Sequence, residues 1–147
     1  MTIHLTQHEA DALLAMEKHF WGNERFEFPV LGGSLRIPLH SQNRREEFSL
    51  DIARGSISLE KNTFQTRARK TVILARLDIA GAHHRNPDDE EIACPHLHVY
   101  REGYHDKWAV PLPEFFIDAK NSFELLDKFM DYCGIIGKPV IRKGLFA

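Results

Sequence analysis

The chain has 147 residues, a formal net charge of −2 and a hydrophobic fraction of 43%. These values exclude a disordered chain and a uniformly basic nucleic-acid-binding protein, and they predict a single domain over residues 1–147. Two cysteines are too few for a disulfide framework, and without an apolar N-terminal signal or a long apolar run we predict a cytoplasmic protein with no membrane contact.

The first predicted element is a helix over residues 6–20. Thr6 and Glu9 have the spacing of a capping box, in which each side chain accepts a hydrogen bond from the backbone N–H of the other residue. Apolar residues follow at helical spacing as far as Phe20, and Gly22 marks the stop.

Alternating apolar and polar residues then predict the strands of a β meander. The strand with Leu35 and Leu39 contains Pro38, which favours a position at the sheet edge. The next strand carries the apolar residues Phe48, Leu50 and Ile52.

We predict a tight turn at Arg54-Gly55, which would pair Ile52 with Ile57 and Leu50 with Leu59. The following strand, from Ile73 to Ile79, would pair Leu77 with Leu59 and Ile79 with Ile57. This register leaves residues 65–70 as the polar tip of a long hairpin.

A polar loop over residues 81–91 leads into a short strand that begins at His96, and another strand is expected near Trp108 to Val110. Asn121 or Ser122 caps a second helix that ends near Gly134, with one apolar side formed by Phe123, Leu126, Phe129 and Met130. The predicted fold class is α+β: an antiparallel β meander with an N-terminal and a C-terminal helix packed on one face.

The strongest candidate site is the run His96-Leu97-His98-Val99-Tyr100. Because strand side chains alternate, His96, His98 and Tyr100 should share one face, within reach of a substrate or metal ion. We predict these three residues as catalytic, with no metal ion and no cofactor assigned. The alternative is that both histidines are solvated on an open sheet face and pair with carboxylates such as Glu102.

Zinc remains an alternative for the histidine pair, because two histidines on one strand can bind zinc when a third ligand is added. Candidates for that ligand are His83, His84, Cys94 and His105.

Five further residues are predicted to bind substrate. Arg67, Arg69 and Lys70 lie at the predicted hairpin tip, where guanidinium groups would match phosphate oxygens; alternatively they only keep the loop soluble. Tyr104 could stack on a base or a protein partner, or belong to the edge of the core. His84 is included because its loop leads directly into the histidine strand.

Several catalytic templates are missing from the sequence. We find no glycine-rich phosphate loop, Gly-x-Ser-x-Gly elbow, His-Glu-x-x-His or Cys-x-x-Cys.

Five segments of the sequence form a recognisable set: Leu50-Asp51-Ile52, Lys61-Asn62-Thr63-Phe64-Gln65-Thr66-Arg67, Arg76-Leu77-Asp78-Ile79, His84-Arg85-Asn86-Pro87 and Pro95-His96-Leu97-His98-Val99-Tyr100-Arg101-Glu102-Gly103-Tyr104. On these segments, residues 6–146 resemble an uncharacterised family of small bacterial and phage proteins.

The resemblance implies no activity and no functional residues, only a context. Small cytoplasmic proteins of mobile elements are often toxins, antitoxins or inhibitors of host defence.

Three functional hypotheses follow. The first is a metal-independent nuclease or phosphodiesterase acting on RNA or nucleotides, in which His96 and His98 supply general base and acid. The second is a non-catalytic binding module, such as a phage-encoded inhibitor of a host defence nucleoprotein, and the third is a zinc-dependent hydrolase. Pairing of the Leu35–Leu39 edge into a homodimer is left open, although Pro38 argues against it.

Overall fold

The computed structural model describes residues 2–57 and 60–144. The helices are α1 (Gln7–Ala15) and α2 (Ser122–Tyr132), with a 3₁₀ turn at Glu114–Phe116. The strands are β1 (Lys18–His19), β2 (Arg25–Glu27), β3 (Ser34–Ser41), β4 (Glu47–Arg54), β5 (Asn62–Ala68), β6 (Val72–Asp78), β7 (His84–Arg85), β8 (Glu91–Ile92), β9 (His96–Val99), β10 (Ala109–Pro111), β11 (Ile135–Gly137) and β12 (Val140–Arg142).

An eight-stranded sheet dominates the described part of the chain. Its strand order is β10-β9-β6-β5-β4-β3-β1-β11, and every pair is antiparallel except β1 with β11. The four long strands from β3 to β6 follow one another in sequence and in space. This arrangement confirms the predicted meander.

The apolar face of the sheet packs against both helices in one hydrophobic core. Phe64 of β5 contacts Phe129 of α2, with ring centroids 6.2 Å apart, and Leu13 of α1 is buried in the same cluster. Burial of these side chains is the main favourable contribution to the stability of such a fold. The α+β class is confirmed.

The predicted β4 hairpin register is wrong. Ile52 pairs with Phe64 and Leu50 with Thr66, so β4 is followed by a loop that closes where Gly55 N–H donates to the Lys61 carbonyl at 2.7 Å. Ile57 is 96% exposed in this loop, and Leu59 lies outside the described residues. The segment 62–68 forms the partner strand instead, because its alternate residues are buried along the whole length of β4.

The predicted hairpin tip is also too long. Residues 65–68 belong to β5, and Phe64 pairs with Leu77 of β6, which leaves three residues, 69–71, as the connection. Polar side chains in β5 suggested a loop in the sequence. Thr63, Gln65 and Arg67 lie on the second face of the sheet, where burial is only partial, whereas Thr66 lies on the buried face.

Helix α1 begins as predicted but ends earlier. Thr6 and Glu9 exchange capping hydrogen bonds at 3.1 Å, which confirms the capping box. The helix ends at Ala15. The side chain of Lys18 folds over this end, where its ammonium group donates hydrogen bonds to the carbonyls of Leu14 and Met16 at 2.8 Å. Phe20 therefore lies beyond β1 and outside the helix.

Strand β3 is an edge strand along most of its length. Its partner on the outer side is β1, which pairs only with His40 and Ser41. Among the described residues, Pro38 therefore pairs with Ser49 of β4 on one side and with no strand on the other. The missing N–H of proline costs no sheet hydrogen bond at such a position.

Asn121 caps α2 by accepting a hydrogen bond from the Glu124 N–H at 2.9 Å, and the predicted apolar side of this helix faces the core. α2 has 11 residues. Neither described helix has the length and apolarity needed to cross a membrane.

Candidate functional site

The second face of the sheet carries a cluster of charged residues and histidines from two neighbouring strands. Strand register places Arg76 of β6 opposite His98 of β9, and Asp78 opposite His96. Because residues two apart on a strand share a face, all four side chains emerge on the same side of the sheet.

Asp78 joins the two histidines. Its Oδ2 lies 3.1 Å from His96 Nε2 and 3.2 Å from His98 Nε2, and the two imidazole centroids are 4.9 Å apart. The imidazoles thus lie side by side, as the strand period predicts. Their partner is Asp78, whereas Glu102 accepts a hydrogen bond from the Gln7 N–H.

Both imidazoles are sealed from solvent, with side-chain exposures of 2% for His96 and 0% for His98. The alternative that both histidines are solvated on an open sheet face is therefore wrong, and neither imidazole is directly accessible to a substrate. The loops on both sides of β9 cover the imidazoles. His98 Nδ1 lies 2.7 Å from the carbonyl oxygen of Asp106, in the loop after β9, and His96 Nδ1 lies 3.3 Å from the carbonyl oxygen of Ala93, in the loop before it.

These two carbonyl contacts determine how the imidazoles are oriented. A carbonyl oxygen only accepts, so a hydrogen bond at either contact is one that Nδ1 donates. His96 Nδ1 also lies 3.5 Å from Cys94 Sγ. Each Nε2 is consequently the atom directed at Asp78 Oδ2.

Arg76 contacts both oxygens of Asp78, since its NH2 also donates to Oδ2 at 3.4 Å. Oδ1 accepts a hydrogen bond from Thr63 Oγ1 at 3.2 Å and lies 3.3 Å from Arg76 Nε. Although burial opposes ionisation, the hydrogen bond from His98 and the charge of Arg76 lower the pKa of Asp78 well below its usual range. The carboxylate is ionised.

Arg76 connects the cluster to the loop that follows β9. Its NH1 donates to Asp106 Oδ2 at 2.7 Å, and its NH2 lies 3.1 Å from His98 Nε2. One guanidinium group therefore contacts two carboxylates and one imidazole, and it is the cation closest to the histidine pair.

A cleft of about 330 Å³ gives solvent access to part of this cluster. It is lined by Lys61, Thr63, Arg76, Asp78 and Cys94, together with residues 80–82. Asp78 is 20% exposed and Arg76 25% exposed, so these two members face the cleft while the histidines lie behind them. We call this the Asp78 cleft.

Cys94 is a poor nucleophile despite its place in the cleft wall. Burial, assisted by the nearby negative charge of Asp78, raises the pKa of its thiol. A thiol with a raised pKa is largely protonated and unreactive at neutral pH.

Tyr100 is not part of the cluster. It is 3% exposed and lies in the hydrophobic core, where its hydroxyl exchanges two hydrogen bonds with the backbone of Leu5. Strand β9 ends at Val99, so the alternation that placed Tyr100 beside His98 does not extend to it. The predicted shared face of His96, His98 and Tyr100 is therefore corrected to the two histidines.

The three predicted tip cations have different surroundings. Arg67 lies within β5, where it binds Asp51 and the Lys70 carbonyl, so its placement at the tip is corrected. Arg69 at the turn pairs with Glu46 at 3.2 Å. Lys70 is exposed, and it lines a second cleft of about 410 Å³ together with Arg36, Pro38, Glu47, Phe48, Ser49 and Arg67. We call this the Arg36 cleft.

His84 does approach the histidine pair, with its ring centroid 4.5 Å from that of His98. Its Nε2 donates to the Lys107 carbonyl at 2.6 Å. Tyr104 is 44% exposed and packs edge-on against Trp108. It is available for contact at the surface, away from the core.

None of the four predicted third ligands completes a metal-binding group with the histidine pair. Within residues 2–57 and 60–144, the group whose ligand atoms converge is Asp78, His96 and His98, all within 4.8 Å of one another. The notable omissions from the predicted site are Asp78 and Lys61. The alternation Arg76-Leu77-Asp78 was visible in the sequence, but only the pairing of β6 with β9 shows that it faces the histidines.

Residues 5–135 match the model of a "Family of unknown function (DUF6978)". The chain belongs to this family. Membership agrees with the resemblance to an uncharacterised family. The matched range includes Arg76, Asp78, His96 and His98. No curated protein and no solved structure matches the chain.

Proposed function

We propose that this DUF6978 member hydrolyses phosphodiester bonds of RNA in the Asp78 cleft. The observation that carries the proposal is the single contact network of Arg76, Asp78, His96 and His98, which opens through Arg76 and Asp78 into a cleft that Lys61 also lines. An ionised carboxylate next to two cations suits a substrate with negative charge at its reacting centre.

Lys61 and Arg76 would bind the scissile phosphate. A guanidinium group offers paired donors that match two phosphate oxygens, and an ammonium group adds a second positive charge. Both side chains line the cleft together with Asp78 and come from different parts of the chain. This arrangement would stabilise the charge that builds on the phosphate as the bond breaks.

Asp78 would orient the attacking water. The water oxygen forms a bond to phosphorus, the bond from phosphorus to the leaving oxygen breaks, and the leaving oxygen takes up the proton that the water loses. His96 and His98 cannot reach a substrate in the cleft because both are buried. We therefore revise their role from acid and base to positioning residues that hold Asp78.

A second cationic surface favours a polynucleotide over a single nucleotide. Arg67 of the Arg36 cleft and Thr63 of the Asp78 cleft lie four residues apart on the same face of β5. At the strand rise of about 3.3 Å per residue, their Cα atoms are about 13 Å apart. A single strand lying across this face would place successive phosphates near both clefts.

Cleavage of a fluorescently labelled single-stranded RNA tests the proposal. We expect Asp78→Asn and His98→Gln to lower kcat by about 100-fold or more, while circular dichroism shows the fold retained. Arg85→Gln changes an exposed arginine outside the cleft and serves as the control. Full activity in both cluster variants would refute the proposed chemistry.

Binding of uncleaved RNA tests the role of the Arg36 cleft. Arg36→Gln removes an exposed cation, so affinity should fall several-fold and the slope of log K against log salt should decrease by about 1. Asp51→Asn removes the carboxylate that binds Arg67, so affinity should rise. Equal affinities in wild type and both variants would exclude this surface from RNA binding.

A non-catalytic binding module is the second candidate, and the burial of both histidines favours it. The contact surface would then centre on exposed Tyr104, with Trp108 packed against it and Arg101 stacked 4.2 Å from the Trp108 ring centroid. This alternative predicts that Tyr104→Ala weakens association with a nucleoprotein and that no preparation cleaves RNA.

We also propose that the protein works in the cytoplasm of a bacterium as the product of a mobile element, such as a toxin or a counter-defence protein. The two free cysteines, Cys94 and Cys133, support a reducing compartment such as the cytoplasm. The mobile-element context rests on the family resemblance alone. If it is an RNA-cleaving toxin, inducing the wild type should arrest growth and inducing Asp78→Asn should not.

A further inference from the structure

We propose that Asp78, His96 and His98 bind one divalent transition-metal ion of the zinc class, through Oδ2 of the carboxylate and Nε2 of each imidazole. The inference deepens the proposed function, because it supplies the group that would activate the attacking water. It rests on the geometry of the three side chains.

The three ligand atoms are already close to the spacing that a metal ion requires. Oδ2 lies 3.1 Å and 3.2 Å from the two Nε2 atoms, and no pair in the group is more than 4.8 Å apart. Zinc–nitrogen and zinc–oxygen bonds of about 2.1 Å at tetrahedral angles separate ligand atoms by about 3.4 Å. A small rotation of the imidazoles would bring all three atoms into a coordination shell.

The contacts of the imidazoles leave their Nε2 atoms as the available ligand atoms. Each Nδ1 faces a backbone carbonyl, so Nε2 is the ring nitrogen of each histidine that faces Oδ2. Arg76 reaches His98 Nε2 at 3.1 Å, but among the described contacts only Asp78 approaches His96 Nε2.

The surrounding residues hold each ligand as outer partners do in metal sites. Carbonyls of Ala93 and Asp106 orient the imidazoles, and Thr63 and Arg76 contact Oδ1. Arg76 NH2 also lies 3.4 Å from Oδ2 and would move away from it when an ion binds. Arg76 would withdraw its NH2 group from His98 and keep its contact with Asp106 at 2.7 Å. The cluster thus provides ligands and supporting contacts together.

The donor set selects the class of metal. Two imidazoles and one carboxylate suit zinc and its transition-metal neighbours, whereas magnesium and calcium prefer oxygen ligands. Three protein ligands leave a fourth coordination position, which is the arrangement of catalytic rather than structural zinc sites, and Asp78 is the ligand that lines the Asp78 cleft. An ion bound there would lower the pKa of a water molecule at the open position.

Metal analysis of the full-length protein tests this directly. We expect about one equivalent of zinc after purification without chelator. After chelator treatment, calorimetric titration with Zn²⁺ or Co²⁺ should again give one site, and Zn²⁺ should raise the melting temperature. A wild-type protein that takes up less than about 0.2 equivalents in both measurements would overturn the inference, whatever the variants do.

Variants then assign the site. Asp78→Asn and His98→Gln should weaken Zn²⁺ affinity on the order of 100-fold and abolish the rise in melting temperature. His83→Gln is the matched control, because His83 is exposed and contacts Glu91 outside the cluster. Unchanged stoichiometry and affinity in both cluster variants would place the ion elsewhere and overturn the assignment.

The outcomes also separate this inference from the proposed function. A protein that binds one equivalent of metal at these residues but never cleaves RNA retains the metal site and loses the phosphodiesterase proposal. A protein that cleaves RNA equally well in chelator and takes up no metal retains the activity and loses the metal site.

Discussion

Tyr100 and Leu5 exchange two hydrogen bonds, in which the tyrosine hydroxyl donates to the Leu5 carbonyl and accepts from the Leu5 N–H, both at 2.9 Å. The pair ties the segment before α1 to the residue that follows β9, 95 positions away in sequence. Gln7 strengthens the junction because its side-chain amide donates to the Tyr100 carbonyl at 3.1 Å. Because its hydroxyl both donates and accepts a hydrogen bond within the core, Tyr100 has a structural role.

Tyr100→Phe should therefore destabilise the protein without disabling the site. Removing the hydroxyl leaves the buried N–H and C=O groups of Leu5 without this partner, which costs about 1–3 kcal/mol. Urea denaturation would show the loss in the free energy of unfolding. RNA cleavage per folded molecule should match the wild type.

Tyr104→Phe is the control for this change, because Tyr104 is 44% exposed and water can replace its hydroxyl contacts. Its effect on stability should stay within about 0.5 kcal/mol. A loss of kcat in Tyr100→Phe at unchanged stability would restore the catalytic role that the sequence predicted.

Lys18 should make stability depend on pH in the alkaline range. Its side chain is fully buried, and burial lowers its pKa from 10.5 to about 8. Between these values the unfolded chain holds more protons at this residue than the folded chain does. The contribution of Lys18 to the free energy of unfolding should therefore rise with pH, by at most about 1.4 kcal/mol per pH unit.

Comparison of the wild type with Lys18→Met isolates this contribution, because methionine does not titrate and the other groups are common to both proteins. The wild-type free energy of unfolding, minus that of the variant, should increase from pH 8 to pH 10. Parallel pH profiles for the two proteins would contradict the lowered pKa.

Lys70→Gly should stabilise the hairpin between β5 and β6. Lys70 has a backbone φ of 68°, in the left-handed region that favours glycine, and Arg69 before it has a φ of 53°. Relief of this strain outweighs the greater flexibility of glycine in the unfolded chain, for a net gain of roughly 0.5–1 kcal/mol. Urea denaturation would measure it.

Lys128→Gly provides the contrast, because Lys128 lies within α2 and glycine inside a helix costs about 1 kcal/mol. Lys70→Gly should at the same time weaken RNA binding, since it removes a cation from the Arg36 cleft. If Lys70→Gly is more stable but binds RNA as tightly as the wild type, the backbone strain at Lys70 is confirmed and its role in RNA binding is contradicted.

Local features of the sequence predicted most elements of the fold. The capping residues Thr6 and Asn121 mark the starts of both helices, and the alternation in β3, β4 and β6 shows which residues face the core. These signals act over a few residues, so they can be recognised without knowing what lies next to them in space. The side-by-side placement of His96 and His98 follows from the same period of two.

Long-range packing decided which strands pair and in which register, and the residues of the candidate site come together only through that pairing. Pairing of β5 rather than the segment around Ile57 with β4 depends on how well whole strands bury their apolar residues, which no local pattern reveals. The same sheet order places β6 beside β9, so that Asp78 and Arg76 meet the histidines.

By itself, the sequence determined the elements, their faces and the histidine pair, because each depends on neighbouring residues and on a fixed backbone period. Only the tertiary structure decided that Asp78 contacts both histidines, that loops bury the two imidazoles, and that the Tyr100 hydroxyl bonds to the Leu5 backbone. Those relationships join residues up to 95 positions apart. They depend on which strands become neighbours, and that choice minimises the free energy of the whole core rather than of any one segment.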